Sequence, residues 1–238
     1  MRIMAEIPAR ALCVFAHPDD ADIGAGGTIA RWSRGGCEVC LVVAASGEKG
    51  TTDPGADPGA LASERAAELA VAASELGVAR VEMLGYGDGE VENTAELRER
   101  LVAMLRQFRP EVVLSHDPTA VFFGATYFNH RDHRELGFAM LDAVFPASHL
   151  PLYFPQAGPP YRVPLVLLSG TLEGQVAVDV SETLGAKKRA VAAHSSQVGR
   201  RRHEVERSIE ATARGLGHRA GLQAAEVFRE MRNEAGER

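Results

Sequence analysis

The sequence contains few aromatic residues, few cysteines and no long apolar run. Aromatic side chains make up 6% of its 238 residues, and there are 3 cysteines. An odd number of cysteines argues against a disulfide framework. No apolar run approaches the roughly 18 residues of a membrane span, and the N-terminal segment lacks the apolar core of a secretory signal. These absences predict a cytoplasmic protein without a membrane span.

Positive charge is outnumbered by negative charge. The chain has 26 Lys and Arg against 32 Asp and Glu, a formal net charge of -6. It therefore lacks the excess of positive charge that is expected of a protein that binds nucleic acid or an anionic membrane. The length suffices for one large domain with its own core. We expect residues 1–238 to form a single domain, with a helical C-terminal extension from about residue 186.

Apolar, β-branched runs alternate with segments of helical periodicity. The runs span residues 11–16, 39–45, 81–84, 112–115 and 163–169, and the helical segments span 28–33, 61–76, 95–108 and 133–144. Near-continuous apolar strands that alternate with helices predict an α/β fold, with a mostly parallel sheet and helices on both faces. Ligands bind such sheets at the carboxyl ends of the strands.

Ionisable residues follow the first predicted strand directly. The run ALCVFA stops at His17-Pro18-Asp19-Asp20, and a second polar cluster, NHRDH at residues 129–133, opens a helix soon after the fourth strand. A surface turn would also explain the first cluster, because Pro and Asp are common turn formers. Two such clusters at one edge of a doubly wound sheet make a functional site the better interpretation.

The two clusters together supply the ligands of a catalytic metal site. Zinc in hydrolytic enzymes takes three protein ligands, commonly histidines and a carboxylate, and leaves one position for water. His17, Asp20 and His133 provide that set. Two histidines and a carboxylate also suit Fe²⁺ or another divalent ion, so the sequence leaves the metal open.

The remaining members of the clusters are candidates for proton transfer. Asp19 lies beside the predicted metal and is free to take a proton from water. His130, one helical turn before His133, is placed to protonate a leaving group, and Asp132 to orient a neighbouring histidine.

The motifs AHPDDADIGAGGTIARW, ASGEKGT, RAAELAVAASELGV and NHRDHR resemble those of the PIG-L/LmbE-like deacetylases. The resemblance extends from about residue 11 to residue 198. It implies a Rossmann-like fold, the same zinc ligands, Asp19 as general base and His130 as general acid. It also implies removal of an acyl group from an N-acyl amino sugar, and assembly into the trimers or hexamers that members often form.

Further site residues come from this resemblance alone. Arg65 and Asp88 match positions where the family contacts the substrate sugar. His194, a third candidate for substrate binding, matches a late KxxAxxxHxSQ-type element that often closes the site. Some members carry a tyrosine that polarises the amide oxygen where this chain has Phe128; Tyr127 beside it is expected to point elsewhere if the segment is extended.

Two other motifs have simpler explanations. Cys37 and Cys40 have CxxC spacing, but in a strand residues three apart point to opposite faces, so a structural role is favoured over a redox one. The glycines at positions 24, 26 and 27 invite a dinucleotide-binding interpretation. Ile29 stands where the third glycine of that motif is needed, which argues against NAD.

The lead interpretation is a zinc-dependent N-deacetylase, an amidohydrolase of a small N-acylated amino sugar such as an N-acetylglucosamine conjugate. One alternative is a metal-dependent phosphoesterase on the same ligands, which a second metal site would favour. Another is a non-catalytic Rossmann-like binding protein. Asp19 and His130, which a passive binder does not need, weigh against the latter.

Overall fold

The computed structural model describes residues 1–233. Within these residues the strands are β1 (Arg2–Ile3), β2 (Arg10–Phe15), β3 (Glu38–Ala45), β4 (Arg80–Tyr86), β5 (Val112–His116), β6 (Phe122–Phe123), β7 (Tyr127–Phe128), β8 (Leu165–Ser169), β9 (Val176–Asp179) and β10 (Ala225–Arg232). The α-helices are α1 (Asp20–Arg34), α2 (Pro58–Leu76), α3 (Ala95–Phe108), α4 (Arg131–Asp142), α5 (Leu184–Ala193), α6 (Ser195–Val198) and α7 (Arg202–Ala220).

A single sheet in the order β1-β9-β10-β8-β5-β2-β3-β4 forms the centre of the fold. All its neighbouring strands pair in parallel except β10, which is antiparallel to both β8 and β9. The predicted mostly parallel α/β fold is confirmed. The chain leaves β2 toward β3 and β4 and returns to β5 on the other side, so the topological switch point lies between β2 and β5.

Both faces of the sheet are covered by apolar side chains. Alternate residues of β2 belong to different cores: Cys13 and Phe15 pack on one face, and Leu12 and Val14 on the other. Helices α1, α2 and α5 cover the first face, and α3 and α4 cover the second. This double burial explains the near-continuous apolar runs in the sequence.

The C-terminal region is not wholly helical, so the prediction of a helical extension from residue 186 is wrong at residues 225–232. These residues form β10, which lies between β8 and β9. The sequence AEVFREMR does not show the apolar pattern of a buried strand, because Glu226 lies between apolar residues. In the structure the carboxylate of Glu226 is nevertheless buried. Helix α7 continues through Gly215 and ends at Ala220, with Gly221 as its C-cap.

The burial of Glu226 is possible because its carboxylate forms hydrogen bonds with α1 and an ion pair with α5. Its carboxylate accepts hydrogen bonds from the backbone amides of Gly27 and Thr28, at 2.9 and 2.7 Å. Lys187 lies 2.6 Å from the same carboxylate and donates to the carbonyl of Ile23 at 2.7 Å. A side chain from β10 and one from α5 therefore hold the middle of α1, which begins at Asp20, well before its predicted start at residue 28.

The two cysteines of the CxxC motif lie in different cores. Cys37 belongs to the core under α1 and α2, and Cys40 to the core under α3 and α4. All 3 cysteines are free and buried. Among the helices formed by residues 1–233, none has the length and apolar composition required to cross a membrane.

The thiols are expected to react slowly with Ellman's reagent at pH 8 in the folded protein. Burial raises the pKa of Cys37 and that of Cys40 to about 11. About one thiol in 1,000 is then ionised at pH 8, against about a quarter for a pKa of 8.5. Reactivity should increase with pH, and in urea all three thiols should react rapidly. Two fast thiols in the folded protein would support the redox interpretation instead.

Lys187→Met should destabilise the protein by about 3–5 kcal/mol, because it leaves the buried carboxylate of Glu226 without its cation. The matched control is Lys188→Met. Lys188 pairs with Glu210 between side chains that are 30% and 34% exposed, and its loss should cost at most about 1 kcal/mol. Urea unfolding followed by circular dichroism measures both changes. Equal losses would contradict a structural role for the buried pair.

Candidate active site

The candidate site begins where β2 meets α1. His17 lies just after β2, and Asp20 is the first residue of α1. The backbone amide of His17 donates a 2.7 Å hydrogen bond to Oδ2 of Asp20, and Nδ1 of the same residue lies 3.2 Å from that oxygen. The HPDD turn therefore brings its imidazole and its second carboxylate together.

His133, near the start of α4, joins this pair. Its Nε2 lies 3.1 Å from Oδ2 of Asp20 and 3.3 Å from Nδ1 of His17. Its Nδ1 lies 3.0 Å from Oδ1 of Asn129. Because an amide oxygen only accepts hydrogen bonds, the network assigns the proton of the neutral ring to Nδ1. The lone pair of Nε2 is left to face His17 and Asp20.

The other ring nitrogen of His17 faces two carboxylates. Its Nε2 lies 3.1 Å from Oδ1 of Asp88 and 3.2 Å from Oδ2 of Asp132. Asp132 also accepts a 2.7 Å hydrogen bond from the backbone amide of Gly89. Burial disfavours a charge on His17, but the hydrogen bonds to its acidic neighbours outweigh burial and raise its pKa to about 12. The surroundings thus draw positive charge to this ring, as a proton or as a metal ion on Nδ1.

The atoms that converge here fit a tetrahedral divalent metal. Nδ1 of His17, Oδ2 of Asp20 and Nε2 of His133 are separated by 3.1, 3.2 and 3.3 Å. Ligands placed tetrahedrally at about 2.0–2.1 Å from zinc are about 3.3–3.4 Å apart. Converging lone pairs repel one another unless a cation lies between them, so the donor set and its spacing both suit a bound ion.

His116, the last residue of β5, is a member of the site that the two sequence motifs do not reveal. Its ring stacks on that of His133 with centroids 4.0 Å apart, and it is near enough to Asp20 and His133 to be a further ligand. Its Nε2, however, accepts a 3.0 Å hydrogen bond from the amide of Ala16. Burial, with the charge of His133, lowers its pKa to about 4. A neutral ring whose lone pair is already used supports His133 by stacking. The sequence does contain a signal for His116: it lies in SHDP, a polar segment at the end of the fourth predicted strand.

Asp19 is paired with Arg65 of α2. Nη2 of Arg65 lies 2.8 Å from Oδ1 of Asp19, and Nη1 donates to the carbonyl of Gly47 at 2.8 Å. Gly47 has a φ of +68°, and a Cβ there would come within 2.1 Å of Nη1, so the loop needs glycine at this position. The guanidinium is buried behind Asp19, whose side chain is 20% exposed.

His130 lies at the rim of the site, just before α4. Its ring packs edge-on against that of His17 with centroids 4.8 Å apart, and its side chain is 42% exposed. Nδ1 accepts a 3.2 Å hydrogen bond from the backbone amide of Asp132. The neutral ring therefore carries its proton on Nε2. Burial and then the charge of His17 lower the pKa of His130, in spite of the charge of Asp132.

His194 does not face the site, which corrects the expectation that it contacts substrate. Its side chain is completely buried, and its Nε2 lies 2.7 Å from Oδ2 of Asp22 in α1. The neighbouring hydroxyl of Ser196 donates to Glu68 of α2 at 2.6 Å. The KxxAxxxHxSQ-type element therefore bonds to α1 through Lys187 and His194 and to α2 through Ser196. These two helices carry Asp20 and Arg65.

A cavity of about 780 Å³ opens beside the histidine and aspartate cluster. Asp20 and His133 line it, together with Phe123 and Tyr127 of the hairpin β6–β7. Tyr127 therefore points into the cavity, contrary to the sequence-based expectation. Phe128 lies outside this lining and is 71% exposed. The physical reason is strand alternation, which places these neighbours on opposite faces of the hairpin.

Comparison with known families gives one match that covers more than half of the chain. The PIG-L family, described as GlcNAc-PI de-N-acetylase, matches residues 12–144. This range contains His17, Asp20 and His133.

Individual relatives extend the similarity. A diacetylchitobiose deacetylase from Thermococcus kodakarensis is 36% identical over 192 residues, which cover 79% of this chain and 70% of that protein. A 1D-myo-inositol 2-acetamido-2-deoxy-alpha-D-glucopyranoside deacetylase from Rhodococcus erythropolis is 30% identical in an alignment of 246 residues, gaps included, that covers 79% of this chain and 81% of that one. The solved structure of N,N'-diacetylchitobiose deacetylase from Pyrococcus horikoshii, complexed with an inhibitor, is 31% identical with a TM-score of 0.86, covering 94% of this chain and 84% of that chain.

Proposed function

Because the chain belongs to the PIG-L family of de-N-acetylases, we propose that it hydrolyses the acetamide of an N-acetylated amino sugar or of a conjugate of one. The products are acetate and the free amine, and water is the second substrate. The named relatives act on acetylated amino sugars, and this supports the substrate class.

We propose that His17, Asp20 and His133 hold a single divalent metal ion and that this ion is zinc. The observation that carries the proposal is the direction of the ring nitrogens. Asn129 fixes the proton on one nitrogen of His133, and the carboxylates of Asp88 and Asp132 fix it on one nitrogen of His17, so the opposite lone pairs converge. The chemistry that zinc supplies when bound is activation of water and polarisation of the amide carbonyl.

Asp19 is the proposed general base. A carboxylate adjacent to a metal ligand is close to the water that attacks the acetamide carbon, and it takes one proton from that water. Nη2 of Arg65 donates a 2.8 Å hydrogen bond to one oxygen of this carboxylate, which orients it. We therefore assign Arg65 a positioning role, whereas a direct contact between Asp88 and the sugar stays a prediction.

His130 is the proposed general acid. It is half exposed at the rim of the site, and its lowered pKa makes its protonated form a strong donor. It delivers a proton to the nitrogen of the departing amine as the C–N bond breaks, and Asp132 orients the neighbouring His17.

The alternatives receive less support. A phosphoesterase that uses two metals would need a second ligand set, and the further group of His17, Asp88 and Asp132 shares its histidine with the first. Those two carboxylates are accounted for by their hydrogen bonds to the ring. The inclusion of β1 and β10 in one sheet supports a single domain. Assembly into trimers or hexamers stays a prediction.

The adjacent aspartates provide a matched pair for testing this assignment. Asp20→Asn should remove most of the bound metal, because three protein ligands leave little redundancy, whereas Asp19→Asn should keep the metal and lose about 10²–10⁴-fold in turnover. Metal analysis of the purified variants and release of primary amine from N-acetylglucosamine derivatives measure the two effects. Loss of metal in Asp19→Asn alone would mean that the two roles are exchanged.

His130→Ala should slow hydrolysis of the amide by about 10²–10⁴-fold and should slow an activated ester of the same acyl group far less. The reason is that an amine must be protonated in order to leave, whereas a nitrophenolate leaves without a proton. Parallel kinetics on the two substrates, with metal content measured in each preparation, test the prediction. Equal losses would instead assign His130 to stabilisation of the oxyanion.

A further inference from the structure

The hairpin β6–β7 carries four aromatic residues on two different faces. Phe122 pairs with Phe128 across the hairpin, and Phe123 pairs with Tyr127. The second pair lines the cavity, with ring centroids 5.7 Å apart and planes inclined by 49°. The first pair lies outside the cavity lining, at 69% and 71% exposure. The hairpin therefore presents one aromatic pair to the site and the other to solvent.

The base of the hairpin is fixed to the predicted metal site. The backbone amide of Asn129 donates to the carbonyl of Val121 at 2.8 Å, and its side-chain amide donates to the carbonyl of Ala120 at 3.0 Å. The same side chain accepts from Nδ1 of His133. Since one residue closes the hairpin and orients a candidate ligand, the aromatic pair is held in a defined position relative to the site.

The cavity has a buried floor and an exposed mouth. Phe15 and His116 form part of the floor and are almost completely buried, whereas Tyr127 and Leu172 at the mouth are 55% and 61% exposed. A volume of about 780 Å³ falls in the range that holds drug-sized ligands, about 300–1,000 Å³. An acetyl group attached to one sugar ring would leave much of this space empty.

We propose that Phe123 and Tyr127 form a platform for a second ring on the substrate, the aglycone linked to the N-acetylated sugar. This inference rests on the proposed function. The small acetyl group must lie beside the metal ligands, toward the floor, so the aglycone extends to the mouth where the aromatic pair lies. The ring recognised there has an apolar face, supplied by the C–H groups of a pyranose or by an aromatic group, because aromatic side chains offer large, flat apolar surfaces.

The platform can be tested by comparing neighbouring phenylalanines on opposite faces of the hairpin. The substrates are free N-acetylglucosamine, its phenyl β-glycoside and N,N'-diacetylchitobiose, and the measurement is kcat/KM for amine release. We expect the wild-type protein to prefer the two-ring substrates, and Phe123→Ala to reduce that preference about tenfold. Phe122→Ala should leave all three rates unchanged. A larger effect on the phenyl glycoside or on chitobiose identifies the aglycone as aromatic or as a second sugar.

A binding measurement separates failure of the platform from failure of the proposed function. Titration calorimetry with phenyl β-D-glucosaminide, which carries no acetyl group, should give a Kd that Phe123→Ala raises about tenfold and Phe122→Ala does not change. This result without turnover of any substrate would reject the deacetylase and retain the platform. Equal effects of Phe123→Ala on one-ring and two-ring substrates, in a variant with wild-type thermal stability, would overturn the platform and retain the deacetylase.

Discussion

The buried ion pair between Lys187 and Glu226 connects the candidate site to the rest of the fold. It joins α5 to β10, and the same two side chains bond the backbone of α1 at Ile23, Gly27 and Thr28. The start of α1 carries the central carboxylate of the site. Ionised groups are rarely buried unless they are paired and fully hydrogen-bonded, and here the backbone amides of α1 provide part of that compensation. The geometry of the site therefore depends on a strand from the C-terminal end of the described chain.

Histidine tautomers determine what the clustered side chains can do. A neutral imidazole has one nitrogen that donates and one that accepts, and its surroundings select which is which. Asn129 and the carboxylates of Asp88 and Asp132 direct the lone pairs of His133 and His17 toward one point. The lone pair of a third ring, that of His116, accepts a hydrogen bond from a backbone amide. Chemically identical rings at one site are thereby assigned different tasks.

Much of the fold and of the site was predictable from local pattern. The main parallel strands produce apolar runs because both of their faces are buried, and α3 matches its predicted bounds, residues 95–108. Strand β10 was missed because its buried Glu226 has the appearance of a surface residue. The start of α1 was missed because acidic residues and glycines conceal its helical periodicity. In both cases a polar residue is buried only because a partner distant in sequence satisfies it, as Lys187 does for Glu226.

The sequence by itself determined the α/β alternation and the two clusters from which the site is built, because strand ends and turn residues are local properties of the chain. Only the tertiary structure decided which nitrogen of each histidine faces the others, that His194 braces α1, and that Tyr127 faces the cavity. These outcomes depend on contacts between residues that are far apart in sequence, such as His17 and His133, whose sequence separation is 116. Spacing along the chain does not encode the direction in which a side chain points after the elements have packed.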